Sequence, residues 1–370
     1  MSDRLPLAGK PRRIAVFRAL YLGDLLLAVP ALRALREGFP QAEITLIGLP
    51  WAASFAHRFR RYVDRFVEFV GYPGISEVPV NMERIKPFLD AQQAYGYDLV
   101  VQMHGSGQTS NAFVLALGGR TTAGYTIGTF SAASRALTWS APYPTDQPEV
   151  LRNLGLAALA GCAHLDPTLE FPLCAEDRAE ATALLSGLPR ARGPVIGFHP
   201  GASRPARRWP TAYFAALADE LAREVDGAII FTGGPDEELI VQEVVDKMTT
   251  RPLNLAGKTS LGGLAALMSR MDLFISNDTG PAHLANALAT PSITIFGPTE
   301  PRRWAALDRA NHPFIQQSVA CSPCTYRDCP IDQRCLRWIS PQVVSAAAQE
   351  LLKRKKYDAT SQHSHLAHSR

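Results

Sequence analysis

One stretch, Asp272 to Pro301 (DLFISNDTGPAHLANALATPSITIFGPTEP), constrains the fold more than any other. LFIS is a short apolar run and reads as a buried strand. Asn277, Asp278, Thr279 and Gly280 form a turn cluster. Pro281 suits the first turn of a helix, where its missing N–H costs nothing. Ala282 to Leu288 continues that helix, and SITIFG is the next buried strand. A helix that follows a parallel strand through a tight loop presents unpaired N–H groups and a partial positive charge. That is a ready site for an anion, most often phosphate. His283 lies in the same first turn and can face the same ligand. An ordinary strand-to-helix connection with a surface His fits these residues too.

The same alternation runs along the whole chain. RIAVF (13–17) is a strand that leads through Arg18-Ala-Leu-Tyr-Leu-Gly23-Asp24 into a helix over 25–36. Further strands are expected at 44–49, 66–70, 98–103 and 122–126, with helices at 56–66, 112–117 and 147–160. The pattern restarts with PVIGFH (194–199), the polar loop PGASRPARRWP and an amphipathic helix over 211–223. GAIIFTGG (227–234), a helix over 235–248, LNLAG (253–257) and a helix over 260–271 follow. Strand alternating with helix means parallel sheets with helices on both faces. Two such runs, divided at Leu188 to Gly193, predict two Rossmann-like domains. Neither carries G-x-G-x-x-G, so a dinucleotide-dependent dehydrogenase is unsupported. In open parallel sheets ligands sit beyond the carboxyl ends of the strands. Asp24, His199 to Arg207, Gly233 to Glu237 and Asp278 to His283 all fall at such ends.

Composition narrows the partners. The 370 residues, 46% hydrophobic and 19% charged, are enough for two globular domains. A net charge of +4 suits anionic substrates or a membrane surface and is too weak to argue for nucleic acid. MSDRLPLAGKPRR lacks the apolar core of a secretory signal, and no apolar run reaches the roughly 18 residues of a membrane span. A cytoplasmic protein, soluble or peripheral at the inner face of the inner membrane, is expected. In AHRFRRYVDRF (56–66), Arg58, Arg60, Arg61 and Arg65 interleave with Phe59, Tyr62 and Phe66. That segment reads either as an interfacial surface or as a solvated helix with its aromatics in the core. The tail 357–370 reads as disordered.

Several residues carry candidate chemistry. The loop after PVIGFH supplies Ser203, Arg204, Arg207 and Arg208, and an arginine fork can hold a phosphate bidentately. No D-x-D triplet occurs, so the usual carboxylate clamp for a divalent metal is missing. A departing diphosphate would then rely on helix N-termini and cationic side chains. Asp24 follows a strand and a turn glycine; it is either a helix cap favoured by the dipole or a base. Cys321, Cys324, Cys329 and Cys335 cluster tightly. A structural Zn or Fe, reduced thiols packing a loop, and disulfides all fit that spacing.

Asp278-Thr279-Gly280, then His283, then Phe296-Gly297-Pro298-Thr299, resemble the C-terminal D-T-G-x-x-H and G-P-T loops of glycosyltransferase family 9, the lipopolysaccharide heptosyltransferases and their relatives. His199 to Pro210 is similar to the family's donor-diphosphate stretch, and Arg207, two residues before Trp209, stands where heptosyltransferases often carry Lys. Gly233 to Glu237 resembles a G-x-x-x-E stretch whose Glu accepts from ribose hydroxyls, and Thr259 falls where the family lines the adenine pocket. Leu22-Gly23-Asp24 with Pro30 matches the family's entry motif, in which the Asp is the proposed general base. The family usually shows Ser or Thr just before that motif, whereas here the run is Arg18-Ala-Leu-Tyr.

The resemblance implies an α/β protein of GT-B architecture, two Rossmann-like domains facing a central cleft. Residues 1–188 would bind the acceptor and 189–340 the nucleotide-sugar donor. A helix over 341–356 would pack back on the first domain. The implied activity is an inverting, metal-independent transfer of heptose from ADP-heptose to a lipopolysaccharide-core or related glycan, with Asp24 as base and no cofactor needed for catalysis. Donor contacts would be Ser203, Arg207, Glu237, Thr259, Asp278, Thr279, Gly280 and His283. A GT-B sugar-nucleotide epimerase and a non-catalytic nucleotide-sugar-binding protein are the alternatives.

Overall fold

The structure is a computed structural model that describes residues 10–128, 132–189 and 191–367, with side chains given as far as Lys355. It divides into two compact units, Met1–Pro172 and Leu173–Arg370. The first unit contains β1 (Arg13–Phe17), α1 (Leu22–Leu26), α2 (Val29–Gly38), β2 (Glu43–Gly48), α3 (Ala52–Arg58) and β3 (Arg65–Glu68). It continues with α4 (Met82–Tyr95), β4 (Leu99–Gln102), α5 (Ser110–Ala116), β5 (Thr121–Thr126), α6 (Ala132–Ala136), β6 (Trp139–Pro142) and α7 (Glu149–Leu159). The second unit contains α8 (Ala175–Leu185), β7 (Val195–His199), α9 (Thr211–Glu224), β8 (Ala228–Phe231), α10 (Glu238–Val245) and β9 (Leu253–Asn254). Then come α11 (Leu261–Met268), β10 (Leu273–Asn277), α12 (Gly280–Ala287), β11 (Ser292–Phe296), α13 (Pro301–Trp304), β12 (Phe314–Gln316), α14 (Arg334–Arg337) and α15 (Pro341–Ala367).

Each unit holds one parallel sheet of six strands, ordered β3-β2-β1-β4-β5-β6 in the first and β12-β11-β10-β7-β8-β9 in the second. Counted within its own unit, each sheet has the same doubly wound order. The reason lies in the strands. In β4 and β8 every residue is buried, as parallel strands covered on both faces must be. In the first unit Val16 is paired with both Leu46 and Val101, and the aromatic core gathers on Phe17, which meets Phe113 at 4.5 Å between centroids. In the second, Ile275 lies between Phe198 and Ile293. The order reverses between β1 and β4 in one sheet and between β7 and β10 in the other. Those two crevices, beyond the carboxyl ends of the strands, are where such sheets take their ligands.

The expected α/β class and GT-B-like pair of sheets are present, but the chain departs from expectation in four places. The boundary falls after Pro172, not after Leu188. Helix α8 packs on α11, and its Glu180 accepts from the Ser260 N–H at 2.8 Å and hydroxyl at 2.6 Å, which ties it to the second unit. The last helix, expected to pack back on the first domain, joins the core of the second unit. Val344, Ala348, Leu351 and Leu352 join the second core, and Ser345 donates to Glu220 on α9 at 2.6 Å. Helix α15 also runs on to Ala367, into the stretch expected to be disordered, while 368–370 lie outside the described residues. The helix expected over 56–66 is α3, which ends at Arg58, and of the two readings of that segment the one with aromatics in the core is met. Phe59 and Tyr62 are buried, Arg58 lies 4.8 Å over Phe171, Arg61 pairs with Glu170, and Arg65 lies 4.1 Å over Tyr95. Among the described residues no helix is long and apolar enough to cross a membrane.

Candidate functional site

The crevice of the second unit is built by the loop after β7 and the turn into α12. Asn277, fully buried at the end of β10, joins the two. Its side-chain oxygen accepts from the Trp209 N–H at 2.9 Å, and its amide donates to the Pro200 carbonyl at 2.8 Å. Loop 200–209 is thereby fastened to the strand that leads into the helix. Next to it, Asp278 accepts from the Thr299 hydroxyl at 2.6 Å and stands 3.7 Å from the Arg207 guanidinium. Asp278 is therefore a buried anchor for Arg207. Arg204 and Arg208 donate to backbone carbonyls, of Thr325 at 3.0 Å and Ala202 at 2.8 Å. Arg207 has the long ion pair instead, and its side chain is 27% exposed, so of these three it is best placed to meet an anion.

Thr279 is the N-cap of α12, in extended conformation, and its side chain makes no capping bond. Gly280 opens the helix and Pro281 follows, as the sequence implied. This terminus supplies the partial positive charge expected of it. His283, in contrast, is buried and borders a recess with Asn286, Ser292, Trp304 and His312.

Glu237 sits in a second cluster beside the loop after β7. It lies in a 3-10 turn at Pro235–Glu237, accepts from the Gly234 N–H at 2.8 Å and faces the His199 ring at 3.2 Å. The other ring nitrogen of His199 is 3.1 Å from the Thr232 hydroxyl. Burial alone would raise the Glu237 carboxyl, yet the bonds from His199 and Gly234, with the nearby Arg208 charge, hold it below the usual carboxylate range. A Cβ at Gly201 would lie 2.1 Å from the Glu237 carboxylate, so any larger residue there would push that side chain away from His199. Ser203 is exposed on the same loop. Thr259 is half-buried between β9 and α11, just before Ser260, which caps α11 through the Gly263 N–H at 2.9 Å.

The crevice of the first unit holds Asp24. It lies in the first turn of α1 with its side chain 22% exposed. Beneath it is Arg18, fully buried at the end of β1. Arg18 reaches Asp24, Glu149 and Asn153 together. Sequence reasoning passed over Arg18, Glu149 and Asn277 as functional residues. An arginine directly after the apolar run Ile14–Phe17 was the available signal, because a buried guanidinium must be paired. Across the same crevice His104, after β4, accepts from the Ala19 N–H at 3.3 Å, stacks on Phe17, and lies 3.5 Å from Glu77.

Cys321, Cys324, Cys329 and Cys335 all line one small cavity. The Gln333 N–H donates to the Cys329 sulfur at 3.3 Å. Among the described residues no three His, Cys, Asp or Glu side chains are grouped as metal ligands. The cysteine segment is joined to the arginine loop: Ala206 N–H donates to Arg327 at 3.0 Å, and Gln333 donates to Pro205 at 2.8 Å.

Two doubly wound parallel sheets, each with a polar loop cluster at its reversal point, define a GT-B-like α/β protein. The sequence pattern of glycosyltransferase family 9 (heptosyltransferase) matches residues 88–334, and the chain belongs to that family. It is 31% identical over 163 residues to lipooligosaccharide heptosyltransferase 2 of Campylobacter jejuni, covering 43% of this chain and 51% of that protein. The chain thus spans about half the length of the curated relatives it matches first. The crystal structure of a glycosyl transferase family 9 protein from Veillonella parvula superimposes with a TM-score of 0.75 at 24% identity, covering 93% of this chain and 98% of that one. E. coli ADP-heptose lps heptosyltransferase II gives 0.72 at 20% identity, covering 93% and 99%. At these identities the two structures share the fold.

Proposed function

We propose that this protein is a glycosyltransferase that moves a sugar, heptose from ADP-heptose, onto a lipopolysaccharide-core or related glycan, with inversion at the anomeric carbon. The observation that carries the reading is the pairing of a helix N-terminus, at Thr279 and Gly280, with Arg207 anchored by Asp278. Together they offer dipole and guanidinium to a diphosphate as negative charge grows on it. That requirement is the harder one here, since the chain has no D-x-D clamp. The second unit then binds the donor, with Glu237 and Thr259 on the nucleoside side, and the first unit binds the acceptor. Inversion needs the acceptor hydroxyl to lose its proton as it attacks, and of the carboxylates in the first crevice we take Asp24, in the first turn of α1 after the strand end, as the base. The relatives' names support the heptosyl donor and the lipopolysaccharide acceptor. We also propose a structural role for the cysteine loop. Its four soft donors suit Zn or Fe, although they are not drawn together here.

Incubation with ADP-heptose, with and without acceptor glycan, tests the reading. ADP release only with acceptor is the expected result. Release or a changed sugar without acceptor indicates an epimerase, and binding without turnover indicates a non-catalytic module.

A further inference from the structure

The fully buried Arg18 is held at every N–H it has. Its Nε donates to the Asp24 carbonyl at 2.7 Å. One terminal nitrogen donates to the Met103 carbonyl and, at 3.0 Å, to Asn153. The other lies 3.2 Å from Glu149 and 3.5 Å from the Asp24 carboxylate. Asn153 in turn donates to the Leu27 carbonyl at 2.9 Å, so the guanidinium is locked between β1, the loop after β4, and α7. Glu149 is the closer carboxylate and is itself buried, whereas Asp24 is the more exposed one. Glu149 also stands 3.4 Å from Arg152, which donates to the Tyr143 hydroxyl at 2.7 Å.

A general base needs two properties that conflict. It must be ionised and aimed, which favours a nearby cation, and it must still accept a proton, which a tight bidentate arginine opposes. Sharing one nitrogen between two carboxylates meets both needs. We propose that Arg18 is a positioning residue for Asp24, and that Glu149 divides its charge so that the Asp24 carboxylate stays ionised without losing its basicity. This inference rests on the reading of Asp24 as the base. The charged and titratable groups linked to it are Arg18, directly after β1, then Glu149 and Arg152 from α7 with Tyr143 after β6; His104, after β4, and its partner Glu77 border the same crevice.

The test is the pH dependence of kcat for the full chain with ADP-heptose and acceptor, for wild type, Glu149→Gln, Arg18→Lys and Asp24→Asn. Glu149→Gln keeps shape and an acceptor for Arg18 but leaves Asp24 as the guanidinium's nearer charge. Asp24 then holds its proton less well, so the acid limb moves to lower pH and the plateau kcat falls several-fold. Arg18→Lys keeps the charge but cannot span the same partners; kcat falls at least tenfold with the donor KM within about twofold. A Glu149→Gln enzyme with wild-type limb and plateau overturns the proposal. So does a Glu149→Gln chain that no longer folds by circular dichroism, because Glu149 is then only a structural charge. Asp24→Asn separates the two failures. If it keeps its rate, the base assignment itself falls; if it is slow while Glu149→Gln is unchanged, only this inference does.

Discussion

Asn277 takes the Trp209 N–H at 2.9 Å, so the last residue of β10 dictates the path of the loop that carries Arg207. The same side chain donates to the Pro200 carbonyl at 2.8 Å, and both ends of that loop hang on one buried amide. Asn277→Ala leaves a buried N–H and a buried carbonyl without partners, each costing about 1–3 kcal/mol. The expected loss in urea unfolding is roughly 2–6 kcal/mol, with ADP affinity falling in parallel. A variant that unfolds like wild type but has lost ADP binding would show Asn277 to contact the ligand instead.

The pairing of His199 with Glu237 predicts a pH signature. Burial pushes the Glu237 carboxyl up, but hydrogen bonds from His199 and Gly234 outweigh it and the folded group lies below its ordinary 4.5. A depressed carboxylate stabilises the fold above its unfolded value, and that contribution disappears as pH falls through the folded one. Glu237→Gln should therefore lower the melting temperature at pH 7, with the gap to wild type closing below about pH 4. A gap that is constant from pH 7 to pH 3 would show that the pair acts by shape and not by charge.

Much of this was legible in the residues, for physical reasons that can be named. Buried parallel strands are unbroken apolar runs, so LFIS and VIGFH could be placed, and the strand ends located Asp24, Arg207 and Thr279. Helix α4 was missed because only Ile85 and Gln92 are buried along it and Pro87 lies inside it, so no apolar stripe exists to read. The segment 56–66 stayed open between two readings because spacing cannot tell an aromatic facing lipid from one facing the core, as Phe59 does. Arg18 and Asn277 were not picked out as functional residues because their partners, Glu149 and Trp209, lie far along the chain. Only the folded sheet brings them together.

Arg207 is the cation of its loop best placed for a diphosphate, and Asp278 holds it from behind at 3.7 Å. Arg207→Ala should weaken ADP binding by about 1.5–3 kcal/mol, the range for hydrogen bonds to charged groups. Calorimetry with ADP measures it directly. An unchanged dissociation constant would mean that the guanidinium serves only Asp278.

The cysteine loop yields the last prediction, because its thiols differ in reactivity. Only thiolate alkylates, so a thiol held protonated or shielded reacts slowly. Burial, reinforced by the neighbouring Cys329, Cys321 and Cys324, pushes Cys335 up to about 11. Burial likewise pushes Cys162 up to about 11, with Glu37 adding to it. Cys321, by contrast, is exposed. A short iodoacetamide pulse at pH 8, in the presence of a chelator and followed by peptide mass spectrometry, should label Cys321 first and leave Cys335 and Cys162 last. Alkylation at Cys321 should also reduce ADP affinity, since this segment is bonded to the arginine loop through Ala206 and Pro205. The metal proposal has a separate reading in the same experiment. Omitting the chelator should protect Cys321, Cys324, Cys329 and Cys335 together, and metal analysis should give a stoichiometric ion. Identical labelling with and without chelator, at below about 0.2 ions per chain where a four-thiol site would hold one, removes the metal and leaves a loop packed by reduced thiols.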